Sequence, residues 1–262
     1  METPKQKVPI MSEEFAKGNK PEYLFWVGCA GAYDDRYKKV TAAFAKILNH
    51  LNISYAVLGT EETCTGDPAR RAGNEMLFQM QALTVIETLK MYEVEKIITI
   101  CPHCYNTFKN EYPDLGGKYE VFNYLEIILE NINNGKLSIT NKDNVKITYH
   151  DPCYLGRANK IYDEPRQILN AITNSFVEMN RNKSSALCCG AGGAQMFKEA
   201  ESGDKEIFIE RTEEAVSTNA EVIATACPFC MTMMTDGLKY INKEDEVKNF
   251  DIAELIVNNL KL

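Results

Sequence analysis

Cys29, Cys64-Thr65-Gly66 and Cys101-Pro102-His103-Cys104 form a pattern that the chain repeats as Cys153, Cys188-Cys189-Gly190 and Cys227-Pro228-Phe229-Cys230. Thirty-four residues separate Cys29 from Cys64, and 34 separate Cys153 from Cys188. Gly66 to Cys101 spans another 34, and Gly190 to Cys227 spans 36. All nine cysteines of the chain fall inside these two copies. Thiols held at matched spacing in a duplicated unit are ligands or redox groups rather than core filler.

The segments around the cysteines alternate short apolar runs with amphipathic ones. Tyr23 to Val27 reads as a buried strand into Cys29, Asp34 to His50 as a helix, and Ile53 to Leu58 as a second strand. Gly73 to Tyr92 is a long helix, Lys96 to Ile100 a strand delivering Cys101, and His103 to Glu111 a short helix. A strand at Tyr119 to Phe122 and a helix at Tyr124 to Asn133 close the half. The second half repeats the order, with strands at Val145–Tyr149, Ser175–Met179, Glu221–Ala226 and Val247–Phe250. Its helices are Pro165–Thr173, Lys205–Thr218, Pro228–Tyr240 and Ile252–Leu260. The offsets are 124 for Cys29 and Cys64 and 126 for Cys101. The expectation is an α/β chain of two tandem, duplicated Rossmann-like units with parallel-rich sheets and cysteine loops at the strand ends. Residues 1–21 read as a tail without periodicity, disordered or docked on a partner. Residues 22–140 form the first unit and 141–262 the second, with the boundary in the polar segment Asn133 to Asn144 and a small excursion at Lys136 to Thr140.

Composition sets the class. A chain of 262 residues with 45% hydrophobic and 25% charged residues is an ordinary globular one. Its net charge of −8 argues against nucleic acid as a partner, since phosphate binding needs a basic face. No apolar stretch reaches the roughly 18 residues of a membrane span, and Met1 to Lys20 is polar. A cytoplasmic location is expected, peripheral to a membrane only through a partner subunit. There, paired cysteines bind metal or catalyse rather than form disulfides, and an odd count fits a disulfide framework poorly.

Strand ends are where open α/β sheets bind ligands. In each Cys-Pro-x-Cys, the proline suits the first turn of a helix, whose N-terminus favours thiolate. Four thiolates from one unit suit zinc or an iron–sulfur cluster. The second copy offers five, one more than either needs, followed by Gly190-Ala191-Gly192-Gly193, which lets backbone pass close to a bulky group. Cys101-Pro-His-Cys104 alone also has the form of a dithiol redox motif, a reading that the second copy weakens. His103 and His150 are candidate ligands or proton donors, His150 the better because it lies three residues before Cys153. Arg70, Arg71 and Arg157 flank the cysteine loops as clamps for an anionic substrate; the alternative is ion pairing with Asp67 or Asp151. The methionines at 231, 233 and 234 read as core.

The cysteine pattern, with His150-Asp151-Pro152-Cys153-Tyr154-Leu155-Gly156-Arg157 and Cys64-Thr65-Gly66-Asp67-Pro68-Ala69-Arg70-Arg71, resembles the cysteine-rich CCG domain family over nearly the whole chain, Tyr23 to Leu260. That family includes heterodisulfide reductase subunits and the iron–sulfur subunits of lactate, glycolate and anaerobic glycerol-3-phosphate oxidation. The resemblance implies a noncubane [4Fe-4S] cluster on Cys153, Cys188, Cys189, Cys227 and Cys230, with Cys188 and Cys189 nearest the reactive irons. Cys188, Cys189 and His150 are then the candidate catalytic residues. The first copy departs from the pattern at Thr65. Its Cys29, Cys64, Cys101 and Cys104 are left for a cubane, for zinc or for nothing, as in D-type heterodisulfide reductase subunits with a single special cluster. The implied function is heterodisulfide-reductase-like disulfide/thiol redox chemistry. The alternatives are electron transfer of the lactate/glycolate type from flavoprotein to quinone, and a zinc-stabilised module without redox activity. Without a ferredoxin run, flavin fingerprint or membrane helix, the chain is expected to work with a ferredoxin-type, flavoprotein or membrane cytochrome subunit.

Overall fold

A computed structural model describes residues 8–139, 142–199 and 202–262. The first unit is a four-stranded sheet of β1 (Tyr23–Trp26), β2 (Tyr55–Ala56), β3 (Lys96–Thr99) and β4 (Glu120–Asn123). The second is built from β5 (Asp143–Tyr149), β6 (Thr173–Val177), β7 (Val222–Thr225) and β8 (Lys248–Asp251). The strand orders, β2-β1-β3-β4 and β6-β5-β7-β8, are the same, and all pairings are parallel. The duplication in the sequence is therefore a duplication of fold. The helices are α1 (Met11–Ala16), α2 (Gly28–Tyr33), α3 (Tyr37–His50), α4 (Asp67–Arg71), α5 (Glu75–Met91), α6 (Pro102–Asn106), α7 (Tyr124–Asn133), α8 (Asp163–Ile172), α9 (Ile207–Ser217), α10 (Pro228–Tyr240) and α11 (Ile252–Leu260).

Alternate residues of a strand face opposite sides, and both sides here are covered. Phe25 and Ile98 point into a core shared by the two sheets, whereas Leu24, Trp26 and Ile97 point into a separate one beneath α5. The shared core contains α3 and α7 of the first unit and α8 and α11 of the second. Contacts cross reciprocally: α11 packs on α3, and α7 on α8. Fully burying side chains such as Phe25, Phe44 and Leu125 contributes about 1.5–3 kcal/mol each, so much of the hydrophobic stabilisation lies where the units meet. Polar contacts reinforce the seam. Arg36 forms a two-pronged pair with Glu254, at 2.7 and 2.8 Å. Tyr37 and Tyr124 of the first unit both donate to the buried Asp251 of the second, at 3.3 and 2.8 Å. Asp251 and its counterpart Asn123 each cap the last helix of their unit with a capping box.

Two expectations need correction. The tail is not without structure over residues 8–20. Ile10 bridges Val57 in parallel, Met11 N–H donates to Val57 O at 2.8 Å, and α1 follows with Met11 buried. This segment covers the sheet edge beside β2, satisfying backbone groups that an open edge would expose. The strand expected at Ile53 to Leu58 pairs with β1 only at Tyr55 and Ala56, and Val57 turns its N–H and C=O to this segment. Residues 1–7 lie outside the described residues, as do 140 and 141 at the expected boundary. Just before them Leu137 is buried, its N–H donating to Asn131 O. The helix expected at His103 to Glu111 is α6 followed by a π-turn over Thr107–Glu111. The wider turn sets Glu111 against Arg70 and Arg71. Among the described residues, no helix is long and apolar enough to cross a membrane.

Candidate metal centre

All nine cysteines are free thiols, and each set gathers at the ends of its strands. Cys101 and Cys227 are the N-caps of α6 and α10, each with proline next in the helix. Cys29 lies in α2 directly after β1, and Cys153 in the turn after β5. The central loops share one device. Gly66 and Gly190 take φ of +89° and +92°, the left-handed region open to glycine, and their N–H groups turn back onto Cys64 Sγ (3.4 Å) and Cys188 Sγ (3.3 Å). The glycine of each Cys-x-Gly thus aims the first sulfur of its loop.

In the second set each thiol's protonation depends on a neighbouring thiol: Cys153 with Cys188, Cys188 with Cys189, Cys189 with Cys230, and Cys230 with Cys227. Cys189, Cys227 and Cys230 are buried, and Cys153 and Cys188 are half-buried. The set divides protons unevenly. Hydrogen bonds from Cys153 and Cys189 hold the Cys188 thiol far below its usual value, against burial. At Cys227 burial pushes upward, but bonds with Cys230 and His103 outweigh it and bring the thiol down to about 5. Cys153 and Cys189 are raised by their bonds to Cys188. Ala191, Phe229, Met196 and Met233 surround the group with apolar contacts; Met231 and Met234 are core.

The first set is two pairs, Cys29 with Cys64 and Cys101 with Cys104. Its bond to Cys29 lowers Cys64 to about 7. Thr65, buried, puts its hydroxyl 3.9 Å from Cys104 Sγ, the place that Cys189 takes beside Cys230 in the second set. These four thiols line a cavity with Trp26, Thr65, Asp67, His103 and Phe229.

The two sets touch. His103, between Cys101 and Cys104, bonds Asp67 Oδ2 through Nδ1 at 2.8 Å and has a side-chain hydrogen bond with Cys227 of the other set. Tyr154 stacks on the His103 ring at 4.1 Å, and Phe229 meets its edge at 4.7 Å. In return Phe229 lines the first cavity, while Ala30, next to Cys29, packs against the second set. Burial works against protonation of His103, but the bonds to Asp67 and Cys227 outweigh it and raise its pKa well above the usual value.

His150 is buried, and its Nδ1 accepts a hydrogen bond from Arg211 Nε at 3.0 Å. Its Nε2 has no partner, and a ring nitrogen of His150 lies with the sulfurs of Cys189 and Cys230 in a group whose atoms are all within 4.8 Å of one another. Burial, and then the Arg211 charge, push this imidazole down to about 3. The sequence left the three arginines as substrate clamps or ion-pair partners. Arg70 pairs with Glu111 (2.8 Å) and Glu75 (3.3 Å), and Arg71 with Asp67 (3.1 Å) and Glu111. Arg157 donates to the carbonyl of Ala186, two residues before Cys188, at 2.7 Å; Asp151 pairs with Arg166 instead.

Sequence reasoning missed Arg211, because an arginine in an amphipathic helix reads as solvent-facing, whereas this one is fully buried. Tyr154 and Phe229 stand in the sequence only as members of motifs, and Asp67 as a motif member and an arginine's partner. A set of five neighbouring sulfurs without a disulfide, closed by apolar side chains, suits a soft metal group, and its fifth sulfur exceeds what zinc takes. The residues present fit a sulfur-ligated iron group.

Comparison with known proteins agrees with this chemistry. The sequence matches the cysteine-rich CCG domain twice, over residues 23–109 and 147–235. It is 46% identical to the probable iron-sulfur-binding oxidoreductase FadF of Bacillus subtilis, over 99% of this chain and 37% of that protein. It is 43% identical to the EtfAB:quinone oxidoreductase of Syntrophomonas wolfei, over 96% of this chain and 36% of that protein. With the D-type subunit of the dihydromethanophenazine:CoB–CoM heterodisulfide reductase of Methanosarcina barkeri the identity is 32%, over 93% of this chain and 60% of that one. The chain thus spans between about a third and three fifths of the length of these relatives.

Proposed function

The chain belongs to the cysteine-rich CCG domain family, and on that premise we propose that it is an iron–sulfur electron-transfer module of an oxidoreductase. Cys153, Cys188, Cys189, Cys227 and Cys230 hold one [4Fe-4S] cluster of the noncubane type. The observation that carries this reading is the gathering of five free thiols at the strand ends of one repeat, with Cys188, Cys189, Cys227 and Cys230 packed in a single cluster. When bound, the cluster supplies one-electron storage between a donor and an acceptor. The protein's part is to exclude water with Phe229, Met196, Met233 and Ala191, and to direct the Gly190 N–H at Cys188 Sγ. Cys29, Cys64, Cys101 and Cys104 offer four sulfurs, the number suited to a cubane or to zinc.

Relay from a flavoprotein towards quinone now ranks ahead of disulfide reduction. The relatives at 46% and 43% identity are FadF and EtfAB:quinone oxidoreductase, against 32% for the heterodisulfide reductase chain. Arg70, Arg71 and Arg157, spent on ion pairs and a loop carbonyl, support the same order, since a clamp for an anionic disulfide needs free guanidinium groups. The test is anaerobic stopped-flow mixing of the iron-loaded chain with a reduced electron-transfer flavoprotein, and separately with a thiol/disulfide couple. Fast bleaching with the flavoprotein alone supports relay; turnover of the disulfide alone reverses the order.

A further inference from the structure

The offset of 124 that aligns Cys29 with Cys153 also aligns Trp26 with His150, each three residues before the first cysteine of its repeat. Both residues are buried, and each has a ring nitrogen, Trp26 Nε1 and His150 Nε2, with no hydrogen-bond partner in the protein. Trp26 lines the cavity of the first thiol set; the His150 ring groups with the sulfurs of Cys189 and Cys230 of the second, and since Arg211 holds Nδ1, Nε2 is the nitrogen left to face them. A buried polar group left without a hydrogen-bond partner is costly and rare, so two such groups at equivalent positions point to acceptors at both places. The indole nitrogen of Trp26 only donates.

The same grouping of His150 with two sulfurs also has the form of a metal site, and Arg211 decides between ligand and donor. Its guanidinium is a permanent donor, so His150 Nδ1 must present a lone pair to Nε at 3.0 Å. A neutral imidazole then carries its one hydrogen on Nε2, which leaves no lone pair there for a metal. Metal-binding histidines show the opposite arrangement, donating from the distal nitrogen to an acceptor. Arg211 is itself fixed. Its Nη1 donates to Glu214 Oε2 and Arg181 O, both at 2.8 Å, and Glu214 also accepts from the backbone and side chain of Arg181.

We propose that Arg211 is a positioning residue that locks His150 as an Nε2–H donor to the sulfur group of the second repeat, with Trp26 the corresponding donor of the first. His150 is then neither a ligand nor a base. N–H bonds to sulfur, with the Arg211 charge behind them, favour the more negative, reduced state and raise the reduction potential. This last consequence rests on the iron–sulfur reading; the locked tautomer does not.

Two measurements test it. In the full chain prepared without iron and labelled with 15N-histidine, His150 should show a protonated Nε2 and a lone-pair Nδ1, and Arg211→Gln should abolish that preference. A proton on Nδ1 in the parent chain overturns the proposal. In the iron-loaded chain, His150→Gln keeps an oxygen for Arg211 and an N–H for sulfur, so iron content and potential should stay near the parent's. His150→Phe should keep its iron but titrate at a lower potential. Loss of iron in both variants would make His150 a ligand, and an unchanged potential in His150→Phe would remove its role as donor. A chain that binds no iron would sink the cluster reading while leaving the tautomer result standing.

Discussion

His103 and Phe229, the third residues of the two Cys-Pro-x-Cys turns, meet edge to face with ring centroids 4.7 Å apart. Each turn therefore lends one side chain to the other repeat's thiols: Phe229 to the first cavity, and His103, with its hydrogen bond, to Cys227. The duplication is symmetric in fold and unequal in chemistry at this contact. His103→Phe, which copies the second turn into the first, should leave buried Asp67 with Arg71 alone and destabilise the chain by about 1–3 kcal/mol. Denaturant unfolding reads that loss. Iron in the second set should remain, since His103 supplies a hydrogen bond to Cys227 and no sulfur.

Thr65 holds the place of the missing fifth sulfur, 3.9 Å from Cys104. Thr65→Cys changes little volume and sits at a buried position. The variant should carry more iron and sulfide per chain than the parent after the same anaerobic preparation. Equal content in the two would mean that the first repeat lacks more than one ligand.

Arg157 ties the carbonyl of Ala186 and with it the approach to Cys188. Arg157→Gln should lower iron occupancy of the second set several-fold while unfolding free energy changes by less than about 1.5 kcal/mol, the net worth of one ordinary hydrogen bond. Iron assay and denaturation on the same preparation separate the two effects.

Asp251 joins the repeats by accepting from Tyr37 and Tyr124, and burial pushes its carboxyl up to about 8. A carboxyl raised in the folded state holds its proton more tightly there than in the unfolded chain. Its contribution to stability is therefore complete below about pH 4 and is lost as pH rises towards and through about 8. Asp251→Asn puts the residue of the first repeat, Asn123, into the second. Between pH 5 and 9, stability of the parent should fall more steeply than that of the variant. Parallel curves would show that Asp251 titrates alike in both states.

The doubled cysteine spacing carried the fold because ligand spacing is local to each strand end, and strands with both faces covered read as short apolar runs. Helices α7, α10 and α11 matched their expected bounds for the same reason: an N-cap or N-terminal proline marks the start of each. What escaped was non-local. The bridge of Ile10 to Val57 joins segments 47 residues apart, and nothing in either segment announces the other. The site was legible in its sulfurs but not in what surrounds them. The burial of Arg211 follows from packing of α9 on α10, and the contact of His103 with Phe229 from how the two units face each other. The pairing of Trp26 with His150 was within reach of the sequence, since the repeat offset alone aligns them.

The central claim is that five sulfurs of the second repeat hold one iron–sulfur cluster. The most direct measurement is iron, acid-labile sulfide and zinc analysis with EPR of the oxidised protein, on anaerobically purified parent and Cys189→Ser chains. The account predicts iron and sulfide in the parent, with a paramagnetic oxidised [4Fe-4S] signal that Cys189→Ser loses. Zinc without iron in the parent, or the same signal in both chains, would contradict it.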